Sequence, residues 1–161
     1  EPCRQCRGTG RERQHRTLVV KIPGGVEDGT QIRLTGEGDA GARGGSPGNL
    51  LILVSVKEHP LFTRDGDDIL CEQSINFAQA ALGTEVEVPT LEGSIKLKIP
   101  AGSQNGQVFR LRNKGVAHLR GGGHGDQLVK LNIVTPETLT KRQRELFEEL
   151  AQTLDPTKKA K

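Results

Sequence analysis

The chain has 161 residues, 23 basic and 20 acidic side chains, and a formal charge of +3, and this length fits one medium domain or two small ones. No stretch of 18 apolar residues occurs, so no membrane span is expected, and scattered basic residues with few aromatics argue against a nucleic-acid surface. With 21 Gly, four Phe and no Trp, Tyr or Met, the core must be built from Val, Leu and Ile, which favours β-structure with many turns.

The first residues form a cysteine motif, CRQCRGTG at positions 3–10. Cys3 and Cys6 have the spacing of half a tetrahedral zinc site, which takes four ligands. Together with Cys71 they form no even disulfide framework, and this favours a reducing, intracellular setting. The sequence opens inside this motif without a Met or a visible secretory signal, so we expect it to be part of a longer protein.

A long internal duplication follows. The segment 21–56 aligns without a gap to the segment 98–133, which lies 77 residues further on, and about 14 of 36 positions are identical. The matched positions include the KIP tripeptides at 21–23 and 98–100 and six pairs of glycines. A period of this length indicates a duplicated domain rather than a solenoid unit.

Each copy is predicted to form three strands. They cover residues 17–22, 32–34 and 50–56 in the first copy and residues 94–99, 109–111 and 127–134 in the second. The first strand of each copy alternates apolar with polar side chains, which indicates one buried face, and the following Pro ends it. Residues 50–54 are apolar on both faces, so we expect this strand to be central or covered on both sides.

The segment between the copies is predicted to contain a hinge, two strands and a short helix. Residues 64–68 are interpreted as a hinge between domains, and residues 69–76 as a strand. The sequence FAQAAL at 77–82 predicts a short helix that ends at Gly83. Residues 85–88 are predicted to form a further short strand.

The end of the chain has the pattern of a helix instead of a strand. Thr140 and Gln143 have the spacing of a capping box. Apolar residues then recur at helical spacing, at Leu146, Phe147, Leu150, Ala151 and Leu154. A helix of about 15 residues is marginal alone in water, so this stripe is expected to pack on its own domain or on a second copy of the chain. Asp155 and Pro156 end the helix.

Several of these stretches carry a family resemblance. They are CRQCRGTG at 3–10, KIPGGVEDG at 21–29, HPLFTRDGDDI at 59–69, AALG at 80–83 and LRGGGHGD at 119–126. In their order and spacing they resemble the DnaJ family of J-domain cochaperones, in its zinc-containing class. The resemblance covers almost the whole chain.

The resemblance implies a mainly β fold: two tandem, duplicated β-sandwich-like domains with a short helix in each region, and a C-terminal helix that dimerises. The expected divisions are a zinc repeat at 1–10, C-terminal domain I at 11–66, C-terminal domain II at 67–136, the dimerisation helix at 137–155 and a disordered tail at 156–161. The strands of domain I that precede the zinc repeats in the family are absent, so this domain is expected to be partial.

The resemblance also implies function. A cochaperone of this class binds exposed hydrophobic segments of unfolded proteins, prevents their aggregation and delivers them to a DnaK-type ATP-dependent chaperone. The J domain and its His-Pro-Asp tripeptide are missing, since His59 and Pro60 are followed by Leu61. We therefore expect a homodimeric binding module that is not an enzyme. Its expected compartment is the cytoplasm or an organelle of bacterial descent.

The implied sites fall in three places. The client groove in domain I is expected to contain Leu18, Val20, Leu51, Leu53 and Phe62, although each aliphatic side chain could equally be ordinary core. Cys3 and Cys6 are the expected zinc ligands in the full-length protein, as half of a site that is expected to be empty in this shorter chain. The dimer contact is expected to involve Leu146, Phe147, Leu150 and Leu154.

Other functions remain as alternatives. A zinc-ribbon or nucleic-acid-binding module would require steep salt dependence of binding, and a purely structural dimerisation module would bind no client. An enzyme would require a nucleophile, a base and an orienting group close together, whereas the four His lie in loops or turns. The glycine-rich loops lack the Lys-Ser/Thr ending of a phosphate-binding loop. Cys71 is interpreted as a buried small hydrophobe.

Overall fold

The computed structural model describes residues 14–41 and 44–154. The strands are β1 (Gln31–Leu34), β2 (Leu50–Leu53), β3 (Thr63–Asp65), β4 (Asp68–Asn76), β5 (Thr84–Thr90), β6 (Gly93–Ile99), β7 (Val108–Leu111) and β8 (Gln127–Val134). The helices are α1 (Phe77–Leu82) and α2 (Lys141–Thr153). The predicted mainly β class is confirmed. Within the described ranges, no helix is both long enough and apolar enough to cross a bilayer.

The second repeat builds a unit of two layers. One layer is a four-stranded sheet in the order β3-β4-β8-β7, in which β4 and β8 run parallel. The other layer is the antiparallel hairpin β5–β6. The hairpin buries Val88 and Ile99 in the same two apolar clusters that contain Val129 and Leu131 of β8. The unit is therefore sandwich-like, with one core between two sheets.

The alternation in β8 explains which face of the sheet is buried. Gln127, Val129 and Leu131 are completely buried, whereas the alternate residues Lys130 and Asn132 are exposed and Leu128 is half-buried. Because successive side chains of a strand point to opposite faces, one face of β8 meets the β5–β6 hairpin and the other meets solvent. The strand interpretation of residues 127–134 is confirmed.

The duplication is reproduced in the strand register. In the first repeat Gln31 pairs with Leu53, and in the second repeat Val108 pairs with Lys130. Both partners are shifted by the 77 residues that separate the repeats in the sequence, and the other pairs of the two ladders follow the same shift. The backbone hydrogen bonds of the glycine-rich loops follow the same shift. The Gly38 N–H donates to the Gly48 carbonyl oxygen at 2.9 Å, and the Gly115 N–H donates to the Gly125 carbonyl oxygen at 2.8 Å.

One turn shows how the two copies reach the same shape with different residues. After β1 the chain passes through Gly36 with φ 78°, and after β7 it passes through Asn113 with φ 57°. Asn is among the few residues other than Gly that tolerate this left-handed region. The Gly36 N–H donates to the side chain of Asn49 at 3.3 Å, and the Asn113 N–H donates to the carboxylate of Asp126 at 2.8 Å. Each repeat thus closes its turn on a side-chain oxygen.

Replacing Asp126 with Asn is expected to keep this turn and to remove its pH dependence. The hydrogen bond from the Asn113 N–H, and then the paired guanidinium of Arg110, hold the pKa of the Asp126 carboxyl below its ordinary value. A lowered folded-state pKa stabilises the fold above the unfolded-state pKa of about 3.9, and that stabilisation disappears as the pH falls through the folded-state pKa. Urea unfolding followed by circular dichroism should therefore show Asp126→Asn to be less stable than wild type at pH 7, with the difference shrinking as the pH approaches 3. An unchanged difference across this range would contradict the assignment.

The predicted strand at 17–22 is wrong, because these residues form no strand in the structure. Its counterpart, β6, is held by pairing along its whole length with β5. The same 77-residue offset places the counterpart of β5 at residues 7–13, where the sequence reads RGTGRER rather than TEVEVPT. A strand pattern that lacks a partner with a matching pattern does not form a ladder. Val19 is almost fully exposed, and Leu18 and Val20 are half-buried.

The expectation that residues 50–54 are covered on both sides is also wrong. Leu51 and Leu53 are 60% and 67% exposed, and β2 pairs only with β1 among the described strands. In the second repeat the matching strand β8 lies between β7 and β4. No described strand takes the place of β4 beside β2.

The segment 64–68, interpreted above as a hinge, lies in a β-hairpin. Strand β3 pairs with β4 through Asp65 and Asp68, so the turn contains only Gly66 and Asp67. Strand β3 therefore lies before the expected domain boundary at residue 66, yet it belongs to the sheet of the second unit. The strand at 69–76 and the helix at 77–82 are confirmed.

Helix α2 begins as the sequence predicts. Thr140 caps it, with its side chain accepting a hydrogen bond from the Gln143 N–H while the Gln143 side chain accepts one from the Thr140 N–H. This reciprocal arrangement satisfies two of the backbone donors at the helix start. None of the side chains of α2 is buried.

Candidate functional site

The five side chains predicted to bind a client lie in different environments. Leu51 and Leu53 project from the outer face of β2, the face opposite to Ile52, and both are exposed. Leu18 and Val20 are half-buried in the irregular segment before β1. Phe62 is half-buried next to β3 and packs against the core of the second unit. The structure brings Leu51 and Leu53 together on one surface, which we call the β2 outer face.

Phe62 also lines a cleft between the two repeats. The cleft has a volume of about 860 Å³. Its apolar lining, which defines what we call the inter-repeat cleft, consists of Val56, Phe62, Ile69, Leu91 and Val116. The ring of Phe62 stacks at 4.9 Å on His59, which lines the cleft as well. None of the other four predicted client-binding residues lines this cleft.

Charged side chains also line the inter-repeat cleft. They are Glu27, Asp28, Lys57, Glu58 and Arg64. A lining that combines apolar and polar side chains is typical of binding sites, because the apolar part supplies affinity and the polar groups fix orientation.

Arg64 fastens the first repeat to the second at one side of the cleft. Its guanidinium donates to the carbonyl oxygens of Val26 at 2.7 Å and Gly25 at 2.9 Å, and its Nε donates to Gly66 at 2.7 Å. The backbone of Gly25 approaches the Ala117 carbonyl so closely that no Cβ would fit there. The cleft is therefore formed where two backbone segments meet.

Two polar contacts of Asp67 hold the cleft residue Val116 in place within the second unit. Nδ1 of His118 lies 2.7 Å from the carboxylate of Asp67, and the Asp67 carbonyl accepts a hydrogen bond from the Val116 N–H at 2.8 Å. Asp67 thus anchors the loop that contains the cleft residue Val116 to the β3–β4 turn.

Sequence reasoning missed most of the cleft. Arg64 was placed in a hinge, and Leu91 and Val116 had no role. One signal was available, because Leu91 is an apolar side chain in the two-residue turn between β5 and β6. An apolar side chain in a tight turn is unusual and indicates contact with another part of the molecule.

Cys71 is a buried side chain, as predicted. It is 6% exposed, and burial raises the pKa of its thiol even though the Gln127 side chain donates a hydrogen bond to its sulfur. A thiol with a raised pKa is a poor nucleophile at neutral pH. Cys71 therefore packs in the core as a small apolar residue.

The structure does not show where a metal ion would bind. Cys3 and Cys6 lie outside the described residues. Among residues 14–41 and 44–154, no group of three or more His, Cys, Asp or Glu is placed to hold a metal ion.

The C-terminal helix contacts its own unit through an aromatic pair. The ring of Phe147 lies 4.9 Å from that of Phe77 at the start of α1. Leu146, Leu150 and Leu154 on the same helix are 47%, 41% and 66% exposed. Of the four side chains predicted to form a dimer contact, one therefore packs within its own chain and three present apolar surface.

Comparisons with known proteins agree with one another. The DnaJ C terminal domain family matches residues 4–136. Chaperone protein DnaJ of Bacillus cytotoxicus is 53% identical over 151 residues, which cover 94% of this chain and 41% of that protein. Chaperone protein DnaJ of a Roseiflexus species is 56% identical over 154 residues, which cover 96% of this chain and 42% of that protein. The chain thus spans about two fifths of the length of these curated relatives.

Proposed function

The chain belongs to the DnaJ C-terminal domain family, and from this membership we propose that it binds exposed hydrophobic segments of unfolded proteins and so prevents their aggregation. In the full-length protein the bound client would pass to a DnaK-type ATP-dependent chaperone. The observation that carries the proposal is the pair of exposed leucines, Leu51 and Leu53, held on the paired strand β2.

The β2 outer face suits an extended peptide. Leu51 and Leu53 are two residues apart, which is the spacing at which a strand presents side chains to one face. The edge of β2 away from β1 pairs with no other strand among the described residues. An extended client could add to such an edge through backbone hydrogen bonds, and the leucines would select apolar side chains.

The inter-repeat cleft is the second proposed contact. Phe62 offers a half-buried aromatic face there, beside the exposed turn residue Leu91. Leu18 and Val20 are half-buried and stay in the proposal as the flank of the binding region in domain I.

We also propose a homodimer that forms through α2. Leu146, Leu150 and Leu154 would meet a second copy of the chain, while Phe147 keeps the helix docked on Phe77. One shallow site binds a short segment weakly, whereas two sites on a dimer raise the effective affinity for a long client.

Zinc is proposed for the full-length protein alone. Cys3 and Cys6 supply two thiolates at the correct spacing, and a structural zinc would need two more ligands from elsewhere. Bound zinc would hold its repeats together as a structural ion. No chemical reaction is assigned to the chain, and the proposed compartment is the cytoplasm.

The nucleic-acid alternative is not favoured, since the matched family and the named relatives point to a chaperone. A purely structural dimer module is distinguished by the client-binding test that follows.

Replacing Leu51 and Leu53 together with Ser is expected to weaken client binding without unfolding the chain. Both side chains are mostly exposed, so little core packing is lost, whereas burying two leucines against a client is worth about 2–4 kcal/mol. We test this by light scattering of a chemically denatured client that is diluted into buffer with the chain. At least about thirtyfold more of the variant should be needed for equal suppression of aggregation.

The matched control for that variant is Leu82→Ser, which removes an even more exposed leucine at the end of α1. Phe62→Ser tests the inter-repeat cleft separately, with far-UV circular dichroism to verify folding. Equal effects of the Leu82 and Leu51/Leu53 variants would mean that the chain binds clients through apolar surface in general. No suppression by folded wild-type chain would refute the proposed function.

A further inference from the structure

The connection between β6 and β7 contains the one Asn-Gly dipeptide of the sequence, Asn105-Gly106. Both residues are exposed to solvent, and Gly106 has φ 79°, a value that favours Gly. Asparagine is among the thermally labile residues. It loses ammonia most readily when Gly follows, because the Gly nitrogen, with no Cβ beside it, reaches the side-chain amide carbon without steric hindrance. The dipeptide is therefore the position in the sequence where deamidation meets the least chemical resistance.

Two hydrogen bonds to β8 fix the groups that would react. The side-chain oxygen of Asn105 accepts a hydrogen bond from the Ile133 N–H at 2.8 Å. The Gly106 N–H donates to the Leu131 carbonyl oxygen, also at 2.8 Å. The reaction requires the Gly106 nitrogen to lose its proton and to approach the side-chain carbon of Asn105. Since both groups are tied to β8, which lies between β4 and β7, this approach requires the turn to open.

The first repeat carries an aspartate in the same turn. The 77-residue offset places the dipeptide Asp28-Gly29 at the matching position. The Asp28 carboxylate accepts a hydrogen bond from the Val56 N–H at 2.8 Å. The Gly29 N–H donates to the Val54 carbonyl oxygen at 2.9 Å, and φ of Gly29 is 77°. Aspartate, one product of asparagine deamidation, therefore fits this turn and accepts the same hydrogen bond.

We propose that Asn105 is a site of spontaneous deamidation that the native turn protects, so that conversion at this residue records opening of the turn. The Gly106 nitrogen forms a bond to the side-chain carbon of Asn105, and ammonia leaves as a cyclic imide closes. Water then hydrolyses the imide at one of its two carbonyl groups, which gives aspartate or isoaspartate. The balance is one water consumed and one ammonia released, with no oxidation or reduction.

The two products should affect the fold differently. Aspartate can accept the hydrogen bond from the Ile133 N–H again, as Asp28 does from Val56 in the first repeat. Isoaspartate passes the main chain through its side chain and adds a carbon atom to the backbone, which moves the Gly106 N–H away from its acceptor on β8. Asn105→Asp should therefore unfold at nearly the same urea concentration as wild type, whereas chains that contain isoaspartate should unfold at a lower one.

Peptide mapping by mass spectrometry, after incubation of the whole chain at mildly alkaline pH, tests the proposal. In chain unfolded with guanidinium chloride, Asn105 should convert faster than Asn113, the internal control, which is also exposed but precedes Lys. In native chain, conversion at Asn105 should be at least roughly tenfold slower, since two hydrogen bonds must first break. Equal rates in native and unfolded chain would overturn the protection. No conversion of Asn105 in unfolded chain would overturn the site.

Asp28→Asn provides a matched comparison, because it creates a second Asn-Gly dipeptide in the equivalent turn. In unfolded chain the two dipeptides should convert at similar rates. In native chain the introduced asparagine should convert faster than Asn105, because β2 has one partner strand among the described residues and β8 has two. Native conversion at residue 28 that is equal to or slower than that at Asn105 would overturn turn opening as the step that controls the reaction.

Discussion

A chain carrying Leu146→Asp and Leu150→Asp is expected to be monomeric and to lose most of its capacity to delay client aggregation. The two residues are the exposed leucines within α2 and lie one turn apart on its apolar stripe. Two carboxylates in the middle of an apolar helix contact would each have to lose water without a compensating partner, at several kcal/mol in total. We expect this cost to exceed the stability of a contact between two short helices.

Suppression of client aggregation should fall further than the removal of two apolar side chains from a binding surface would explain. A dimer offers a long client two sites at a high effective concentration, and a monomer offers one, so suppression should fall by tenfold or more for clients that can span both sites. Binding of a short peptide that fills one site should change little. Suppression of aggregation is measured by light scattering with a long client. Binding at one site is measured by fluorescence anisotropy with a labelled short peptide, and the oligomeric state is measured by sedimentation equilibrium.

Leu82→Asp is the control for that variant, because it places the same charge on an apolar residue that is 82% exposed and outside α2. If the double α2 variant became monomeric and still suppressed aggregation as wild type does, the dimer would have no part in client binding. If it remained dimeric, the stripe would not be the contact.

The duplication made part of the fold predictable. Once residues 21–56 were aligned on 98–133, one ladder implied the other, and the β1–β2 and β7–β8 registers agree position by position. Register is strongly specified here because a shift by one residue would turn the buried Val129 and the half-buried Ile52 to solvent. Short local signals, such as the capping box at Thr140, were reliable for the same physical reason: all their partners lie within one turn.

The errors arose where a segment depends on a distant partner. Residues 17–22 have a strand pattern, but the segment that would pair with them has the sequence RGTGRER. In the β3–β4 turn the dipeptide at Gly66 and Asp67 is a hairpin signal, and it was overlooked because the segment also separates the two repeats.

The candidate site was only partly accessible to sequence reasoning. Leu51 and Leu53 were named because the family resemblance places a client groove in domain I, since a run of apolar residues does not indicate which face is exposed. Their role in client binding stays a prediction. The inter-repeat cleft could not be found from the sequence, since it is created by the contact of Gly25 with the backbone of Ala117 and by the bonds of Arg64 to carbonyl oxygens. Backbone carbonyls have no sequence signature, so a site formed by them requires coordinates.

Gly125→Ala is expected to lower the free energy of unfolding by about 2–4 kcal/mol, whereas Gly48→Ala at the equivalent position of the first repeat should change it by less than about 1 kcal/mol. A Cβ on Gly125 would overlap the Asp67 carbonyl oxygen and lie 2.8 Å from the Asp68 carboxylate. A Cβ on Gly48 would have no neighbour nearer than the Asp39 carbonyl oxygen at 3.8 Å.

The two glycines occupy matching places in the two loops and donate matching hydrogen bonds. Their surroundings differ because Asp67 and Asp68 belong to the β3–β4 hairpin, which packs against the second repeat, while the first repeat has no such hairpin among the described residues. Far-UV circular dichroism during urea unfolding is the suitable measurement, since the chain contains no Trp or Tyr for fluorescence. Equal destabilisation by the two substitutions would mean that the β3–β4 hairpin does not lie close enough to Gly125 to exclude a Cβ.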